Sequence, residues 1–219
     1  MNERKQVSAL ERLRSLPDVF RGSDLTVRFG WTSKTASQTL YQWKQRDLVG
    51  ALGGHSDVFV NLVANPHPQW EKAMRLAMPT AVIVGLEALR QAGLSTQVPH
   101  RPSVAVSREQ SVFTVNPYEV EPRAPAWFQT AAAGIVKNPA GGLPILKPAW
   151  ALADLLRQHA WGDFGLWPDD IEWSEVSPQD ENDWDKACRA FGLEESPLLD
   201  LQVDSRGAVA QPGPGPGQI

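Results

Sequence analysis

The pattern of apolar and polar residues between Gly22 and Leu62 changes from helical spacing to strand-like spacing. Two helices are predicted first, over Asp24–Phe29 and Ser33–Gln45, because residues suited to capping stand at the start of each. Two strands, Leu48–Leu52 and Val58–Leu62, then flank a glycine-rich turn. This order predicts a helix-turn-helix followed by a two-stranded wing, a shape suited to the major groove of DNA.

The second predicted helix has one apolar side and one polar side. Ala36, Leu40 and Trp43 recur at i, i+4 and i+7 and form a stripe for the core. Glutamine can bond adenine through two hydrogen bonds, lysine can reach guanine or phosphate, and a threonine methyl group can touch a thymine methyl group. The candidate DNA contacts on this helix, after it and in the wing are Ser33, Lys34, Thr35, Gln38, Tyr41, Gln42, Lys44, Arg46 and His55.

Two alternatives to DNA recognition stay open for this segment. A polar helix face is also what an ordinary solvated helix presents, and helix-turn-helix units also serve as protein-contact modules. In the second case, the head and the rest of the chain bind other proteins without recognising DNA. Lys44, Arg46 and His55 favour DNA, since they lie where phosphates would pass.

Charge is distributed unevenly along the chain, although the net charge of −4 argues mildly against nucleic-acid binding. Nine basic and five acidic residues give the segment 1–50 a net charge of +4. Between 169 and 200, eleven acidic and two basic residues give −9. This asymmetry suits a DNA-facing head attached to a body that faces something else.

The body beyond the Asn65–Pro68 turn combines predicted helices with short strands. Proline and glycine between 211 and 219 predict a disordered tail. The expected domains are therefore a DNA-binding domain at 1–64, an α+β domain at 65–200 and a disordered tail at 201–219. Predicted helices cover 69–78, 80–92, 149–159 and a segment capped by Ser177 that ends at Phe191, and a small antiparallel sheet is predicted from 103–106, 111–115 and 118–121.

Composition and motifs narrow the functional class further. The 219 residues are 42% hydrophobic, which is ordinary for one or two globular domains, and no apolar run is long enough to span a membrane. With no secretory signal and a lone Cys188, we expect a cytoplasmic protein without a disulfide or a cysteine-based zinc site. The histidines lack metal-ligand spacing, and no hydrolase elbow, phosphate loop or dinucleotide fingerprint is present. We therefore expect no enzyme, no metal and no cofactor.

Several polar and aromatic residues have both a structural and a functional interpretation. Asp154 is expected to accept hydrogen bonds rather than to catalyse, and Thr96 and Gln97 are expected to satisfy backbone groups at a helix end. Trp43 and Trp150 fall on apolar helix faces and belong to the core. Core packing is also the favoured interpretation of the remaining C-terminal tryptophans, with a surface for a basic partner as the alternative: Trp161, Trp167, Trp173 and Trp184.

Two sequence blocks resemble a known family. The block Ala88–Pro99 reads alanine-leucine, then glycine-leucine-serine-threonine-glutamine-valine-proline, and resembles the signature of the AbiEi family of abortive-infection antitoxins. Leu146–Leu156 is similar to a second block of that family, in which a proline precedes an alanine-leucine-x-aspartate-leucine helix. The predicted winged helix matches the family's DNA-binding domain in position and length, so the resemblance covers roughly residues 7–175.

The resemblance implies an α+β protein, with an N-terminal winged helix-turn-helix followed by a mixed α/β C-terminal antitoxin-like domain. It also implies a type IV toxin–antitoxin pair, in which the winged helix represses its own promoter and the C-terminal domain counteracts a nucleotidyltransferase-like toxin. The implied partners are promoter inverted repeats, which allow a dimer on DNA, and the toxin as a functional partner; no membrane is implied. A stand-alone regulator without antitoxin activity is the alternative.

Overall fold

The computed structural model describes residues 8–53, 56–109, 115, 117–139, 142–163, 165–194 and 196–202. Over these ranges the fold is mixed α+β, with one three-stranded and one five-stranded sheet. None of the helices within these ranges has the length and apolar character needed to cross a membrane. Packing of the backbone divides the chain into two compact units, one comprising 1–84, 100–129 and 135–145 and the other 85–99, 130–134 and 146–219. The domain boundaries after residues 64 and 200 stay predictions, and residues 203–219 of the predicted disordered tail lie outside the described residues.

The first unit begins with three helices and a three-stranded antiparallel sheet. Its elements are α1 (Ala9–Arg14), β1 (Val19–Arg21), α2 (Gly22–Phe29), α3 (Ser33–Gln45), β2 (Val49–Ala51) and β3 (Val58–Asn61). The strand order is β1-β3-β2, so Val60 lies between Val19 and Gly50. The sequence did not predict β1, because its three residues pair with a strand distant in sequence.

Local capping explains where α2 and α3 begin and end. Asp24 accepts a hydrogen bond from the Arg21 backbone N–H at 2.8 Å, so α2 begins two residues before the predicted start. Gly30 ends it in the left-handed conformation, with φ of 65°. Thr32 caps α3 at the predicted residue, and the helix has the predicted bounds Ser33–Gln45.

A buried asparagine fastens α1 to the sheet in the first unit. Asn61 is 1% exposed, and its amide donates to the Leu13 carbonyl at 2.7 Å. Its side-chain oxygen accepts from the backbone N–H groups of Val63 and Ala64, both at 3.2 Å. Buried polar groups are stable when they are satisfied in this way. The core that surrounds this junction consists of Leu13, Leu16, Phe20, Leu25, Ala36, Leu40, Trp43 and Val49.

The five-stranded sheet differs from the small antiparallel sheet that the sequence predicts. Its strands are β4 (Val82–Ile83), β5 (Ser103–Ser107), β6 (Glu119–Arg123), β7 (Ile135–Val136) and β8 (Ile145–Leu146), in the order β6-β5-β4-β8-β7. β5 and β6 are parallel, so the predicted antiparallel pairing of these segments is wrong. Residues 111–114 of the middle predicted strand lie outside the described residues, while Val115 forms an antiparallel bridge with Gly53.

The predicted helix over 80–92 is wrong in its first half. Val82 and Ile83 form β4, which is antiparallel to β5 and parallel to β8. Apolar, β-branched residues at this point are buried in a sheet rather than on a helix face. Gly85, with φ of 62°, changes the chain direction, and the helix begins only there.

The helices α4 (Trp70–Ala77), α7 (Pro148–Gln158) and α8 (Pro178–Phe191) lie close to their predicted positions, whereas α6 (Pro125–Thr130) was not predicted from the sequence. α5 spans Gly85–Gln91. Short 3-10 helices cover Ala131–Ala133, Pro168–Asp170 and Trp173–Glu175. In α8, Ser177 and Asp180 form the predicted capping box and Gly192 ends the helix at φ of 70°.

The second unit packs α7 against α5 and α8 around Trp150. Trp150 is 2% exposed and meets Phe191 edge-on at 5.7 Å between ring centroids. A Cβ atom at Gly134 would stand 2.4 Å from Cγ of Trp150, so glycine is required there by close approach. The predicted core position of Trp150 is therefore confirmed.

Candidate nucleic-acid interface

The best candidate site is α3, which its ends and its core stripe hold in a defined orientation. Thr32 Oγ1 accepts from the Thr35 backbone N–H at 3.2 Å, which satisfies one of the free donors of the first turn. Ala36, Leu40 and Trp43 are buried in the first-unit core. Because these three residues share one side of the helix, the opposite side must face away from that core.

All of the predicted contact residues that the structure describes lie at the surface. Tyr41 exposes 66% of its area, and α3 places it on the side opposite Leu40 and Trp43. His55 lies outside the described residues, so its prediction is not tested. The exposed predicted residues are Ser33, Lys34, Thr35, Gln38, Tyr41, Gln42, Lys44 and Arg46.

The glutamines of α3 have free hydrogen-bonding groups. Within the part of the chain that the structure describes, Gln38, Gln42 and Gln45 form no side-chain hydrogen bond. Each amide carries two N–H donors and a carbonyl acceptor, so it can pair with a base edge that offers both an acceptor and a donor. The chemistry needed for base contacts is therefore available at this surface.

The electrostatics of α3 favour an anionic ligand. No aspartate or glutamate lies between Ser33 and Arg46, whereas Lys34 and Lys44 are both exposed. Arg28, in the last turn of α2, is exposed as well. Arg28 is one of the nine basic residues of segment 1–50 but was not among the predicted contacts. Its position in the helix before α3 is the feature of the sequence that could have indicated it.

A cleft of about 410 Å³ lies beside α3 within the first unit. Hydroxyl groups line it, and its one carboxylate, Asp57, is paired with Arg21 at 2.7 Å. That pairing offsets the negative charge of Asp57, although both groups are exposed and the pair contributes little stability. The cleft is lined by Gly22, Ser23, Thr26, Ser33, Ala36, Ser37, Leu40, Asp57 and Phe59.

Carboxylates of the second unit, in contrast, are engaged by neighbouring side chains. Asp154 is 2% exposed and accepts from Arg157 at 3.2 Å and from Gln158 at 3.1 Å, as expected for a structural acceptor. Glu87 is held by two hydrogen bonds from Arg90, at 2.8 and 2.6 Å. Hydrogen bonds within the unit therefore account for both carboxylates, and no ligand is needed to explain their burial.

The pKa values of two carboxyl groups of the second unit, Glu87 and Asp183, report the same kind of engagement. Burial raises the pKa of Glu87, but hydrogen bonds from Arg90 and Gln91 and the charge of Arg90 outweigh it, so the net pKa is lowered. Burial likewise opposes ionisation of Asp183, and bonds from Gln179 and Lys147, with the nearby lysine charges, leave its pKa below the usual range. Both groups are held in the charged form.

The C-terminal tryptophans divide between core and surface. Trp184 is 2% exposed and donates from Nε1 to the Ser196 carbonyl at 2.7 Å, which confirms core packing there. Trp167 is 58% exposed, so core packing is wrong for that residue. Trp161 and Trp173 are half-buried.

The turn after α5 is stabilised by a residue that sequence reasoning did not select. Ser95 is 3% exposed, and its hydroxyl accepts from the Gln97 backbone N–H at 3.2 Å. Thr96 is exposed, and neither Thr96 nor Gln97 makes a side-chain hydrogen bond to the described residues. The structural role expected of that pair falls to Ser95.

Comparison with known proteins finds a solved structure of similar fold but no matching family. Over the described ranges, His, Cys, Asp and Glu side chains form no group of three or more that could hold a metal ion. No family model matches the sequence, and no curated protein matches it. The fold is similar to the crystal structure of the RV2827C protein from Mycobacterium tuberculosis, with a TM-score of 0.54 and 16% sequence identity. The match covers 89% of this chain and 79% of that chain, and it concerns the fold alone.

Proposed function

We propose that this protein is a DNA-binding transcriptional regulator whose N-terminal segment is a winged helix. The order of α1, β1, α2, α3, β2 and β3, with an antiparallel β1-β3-β2 sheet, supports that description. In this proposed winged helix, α3 enters the major groove and the β2–β3 hairpin is the wing.

The observation that carries this proposal is the exposed face of α3. It combines free glutamine amides with lysines and has no carboxylate that would repel phosphate. A helix that only met solvent would have no reason to exclude glutamate, which is a good helix former. The absence of acids along the whole helix therefore favours an anionic ligand.

The resemblance of Ala88–Pro99 and Leu146–Leu156 to AbiEi blocks makes the proposal more specific. In that setting the protein represses its own promoter through inverted repeats, and its C-terminal part counteracts a nucleotidyltransferase-like toxin. Because a bacterial promoter lies in the cytoplasm, the cytoplasm is the proposed location. The antitoxin role predicts a nucleotidyltransferase motif in the adjacent reading frame. It also predicts that growth is rescued when both genes are expressed together. If this chain leaves the effect of the toxin unchanged, the function is restricted to regulation.

A protein-binding function for the C-terminal part is the second candidate, because Trp167 is exposed among carboxylates. Asp163, Asp169 and Glu172 are exposed nearby in sequence. An aromatic side chain with acids around it suits a basic protein partner. Unchanged toxin rescue by Trp167→Ala would argue against this surface as the point of contact.

Repression of a reporter by the full chain tests the regulatory function. The reporter is placed behind the DNA that precedes the protein's own gene, and the double variant Lys34→Glu and Lys44→Glu is compared with the wild type. We expect repression by the wild type and its loss in the variant, because two attractive contacts become repulsive. Lys72→Glu, which reverses the charge of an exposed lysine on α4, is the control and should still repress. Equal repression by all three proteins would contradict the proposal.

A further inference from the structure

The side chains of α3 fall into two sets that have different positions on the helix. Lys34, Gln38, Tyr41 and Gln45 recur at i, i+4, i+7 and i+11, on the side opposite the buried stripe. Ser33 and Ser37 lie on the flank that borders the cleft. A helix seated in the major groove turns the side opposite its core toward the base edges, whereas its flanks pass the phosphates.

The chemistry of the central stripe is restricted in what it can read. Gln38 and Gln45 can each accept from adenine N6 and donate to adenine N7, which is the pairing typical of glutamine. The Tyr41 ring is an apolar surface with 66% exposure, suited to a thymine methyl group. Both preferences concern the A·T pair.

Readers of G·C pairs are scarce on the same helix. Ser33–Gln45 contains no arginine, the commonest side chain on guanine, and no carboxylate to accept from cytosine N4. Lys34 alone in the central stripe can reach guanine, and it can reach phosphate equally well. The helix therefore has several groups suited to A·T pairs and one that does not discriminate.

We infer, resting on the proposed DNA-binding function, that α3 recognises a half-site of A·T pairs. Gln38 contacts the adenine N6 and N7 positions, and Tyr41 packs against the C5 methyl group of a thymine. Tyr41 is thus a specificity-determining residue that acts through its ring and not through its hydroxyl group.

The first arm of the test selects duplexes from a randomised 20-base-pair library with the full chain. The expected result is an enriched half-site in which A·T pairs occupy the positions whose identity changes in Gln38→Ala. Enrichment of G·C pairs at those positions would overturn the inference and leave DNA binding intact. If no duplex is retained at low salt, both the inference and the proposed function fail, so the two failures are distinguishable.

The second arm removes single groups from the selected duplex without changing its base pairing. Replacing one adenine by 7-deazaadenine deletes the N7 acceptor, and replacing one thymine by uracil deletes the methyl group. At a contacted base, deleting the N7 acceptor should weaken wild-type binding by roughly two- to tenfold. Deleting the methyl group should weaken it by roughly fourfold. Gln38→Ala should no longer respond to 7-deazaadenine, nor Tyr41→Ala to uracil.

Tyr41→Phe is the matched control, because it keeps the ring and deletes the hydroxyl group. We expect it to bind the selected duplex as the wild type does and to keep the response to uracil. A loss in Tyr41→Phe as large as that in Tyr41→Ala would show that the hydroxyl group is the contact. If neither base analogue changes the affinity of the wild type at any position, the A·T assignment is overturned.

Discussion

Polar side chains serve opposite purposes in α3 and in the second unit. Asp154 and Asp183 are almost fully buried, and each is held by basic or amide groups of its own unit. Gln38 and Gln42 are exposed and make no side-chain hydrogen bond within the described ranges. A polar residue with internal partners stabilises the fold, whereas one without them is available to a ligand. The difference lies in the partners and not in the residue type.

The largest effect on folding is expected at Asp183, whose carboxylate is 3.0 Å from Lys147 Nζ and 3.7 Å from Lys186 Nζ. Asp183→Ala should lower the free energy of unfolding by about 3 kcal/mol, the lower end for a broken buried pair, since both lysines are partly exposed. Asp183→Asn should cost less because it keeps a hydrogen-bonding group. Chemical denaturation measures both.

The pH dependence of that effect follows from the lowered pKa of Asp183. The stabilisation is fully present above the ordinary aspartate pKa of about 3.9 and is lost as the pH falls through the lower folded-state value. The stability gap between the wild type and Asp183→Asn should therefore narrow under acid conditions below about pH 4. A gap that widens there would contradict the assignment of the charged form.

Gln38→Ala should leave the free energy of unfolding unchanged and alter DNA recognition, the reverse of what is expected for Asp183→Ala. Its loss at the cognate base is expected to be about 1–3 kcal/mol, and the loss on scrambled duplex should be close to zero. Binding isotherms on the two duplexes measure the difference. Equal losses on both would show that this residue does not read bases.

Lys44→Ala should weaken all duplexes alike, since a lysine on phosphate carries no sequence information. The slope of log affinity against log salt is expected to become less negative by about 0.9. Lys72→Ala, which removes an exposed lysine from α4, is the matched control and should leave the slope unchanged. If the slope became less negative in both Lys44→Ala and Lys72→Ala, the effect would be one of overall charge and not of a phosphate contact by Lys44.

The smallest effect is expected from the cap of α3. Thr32→Ala removes the acceptor of the Thr35 N–H and should cost about 1 kcal/mol of stability. Thr32→Ser keeps the hydroxyl oxygen and should restore most of that loss. Ser177→Ala offers the same comparison in the second unit, where Ser177 caps α8. Thermal unfolding measures the effect of all three variants.

The ability to predict these elements from sequence depended on how local their causes are. The bounds Ser33–Gln45 were predicted correctly, because the cap, the periodicity and the end of this helix are all set by residues close together in sequence. The α8 helix followed from Ser177, Asp180 and Gly192 for the same reason. The exposed residues of α3 also followed, since three buried positions fix the orientation of a helix.

Long-range pairing was not predictable in the same way. The run Val82–Ile83 became a strand because β5 and β8 flank it, and neither is near it in sequence. β5 and β6 are parallel although short segments close in sequence are typical of hairpins. The exposure of Trp167 was missed as well, because nothing in the spacing of the acidic segment separates a core tryptophan from a surface one.

Binding of the full chain to a labelled duplex from its own upstream region, titrated with salt, tests the central claim most directly. A DNA-reading α3 predicts retention at low salt, a steep linear fall in log affinity with log salt, and weaker binding of a scrambled duplex. Absence of binding at low salt, or an affinity that salt does not change, would contradict it.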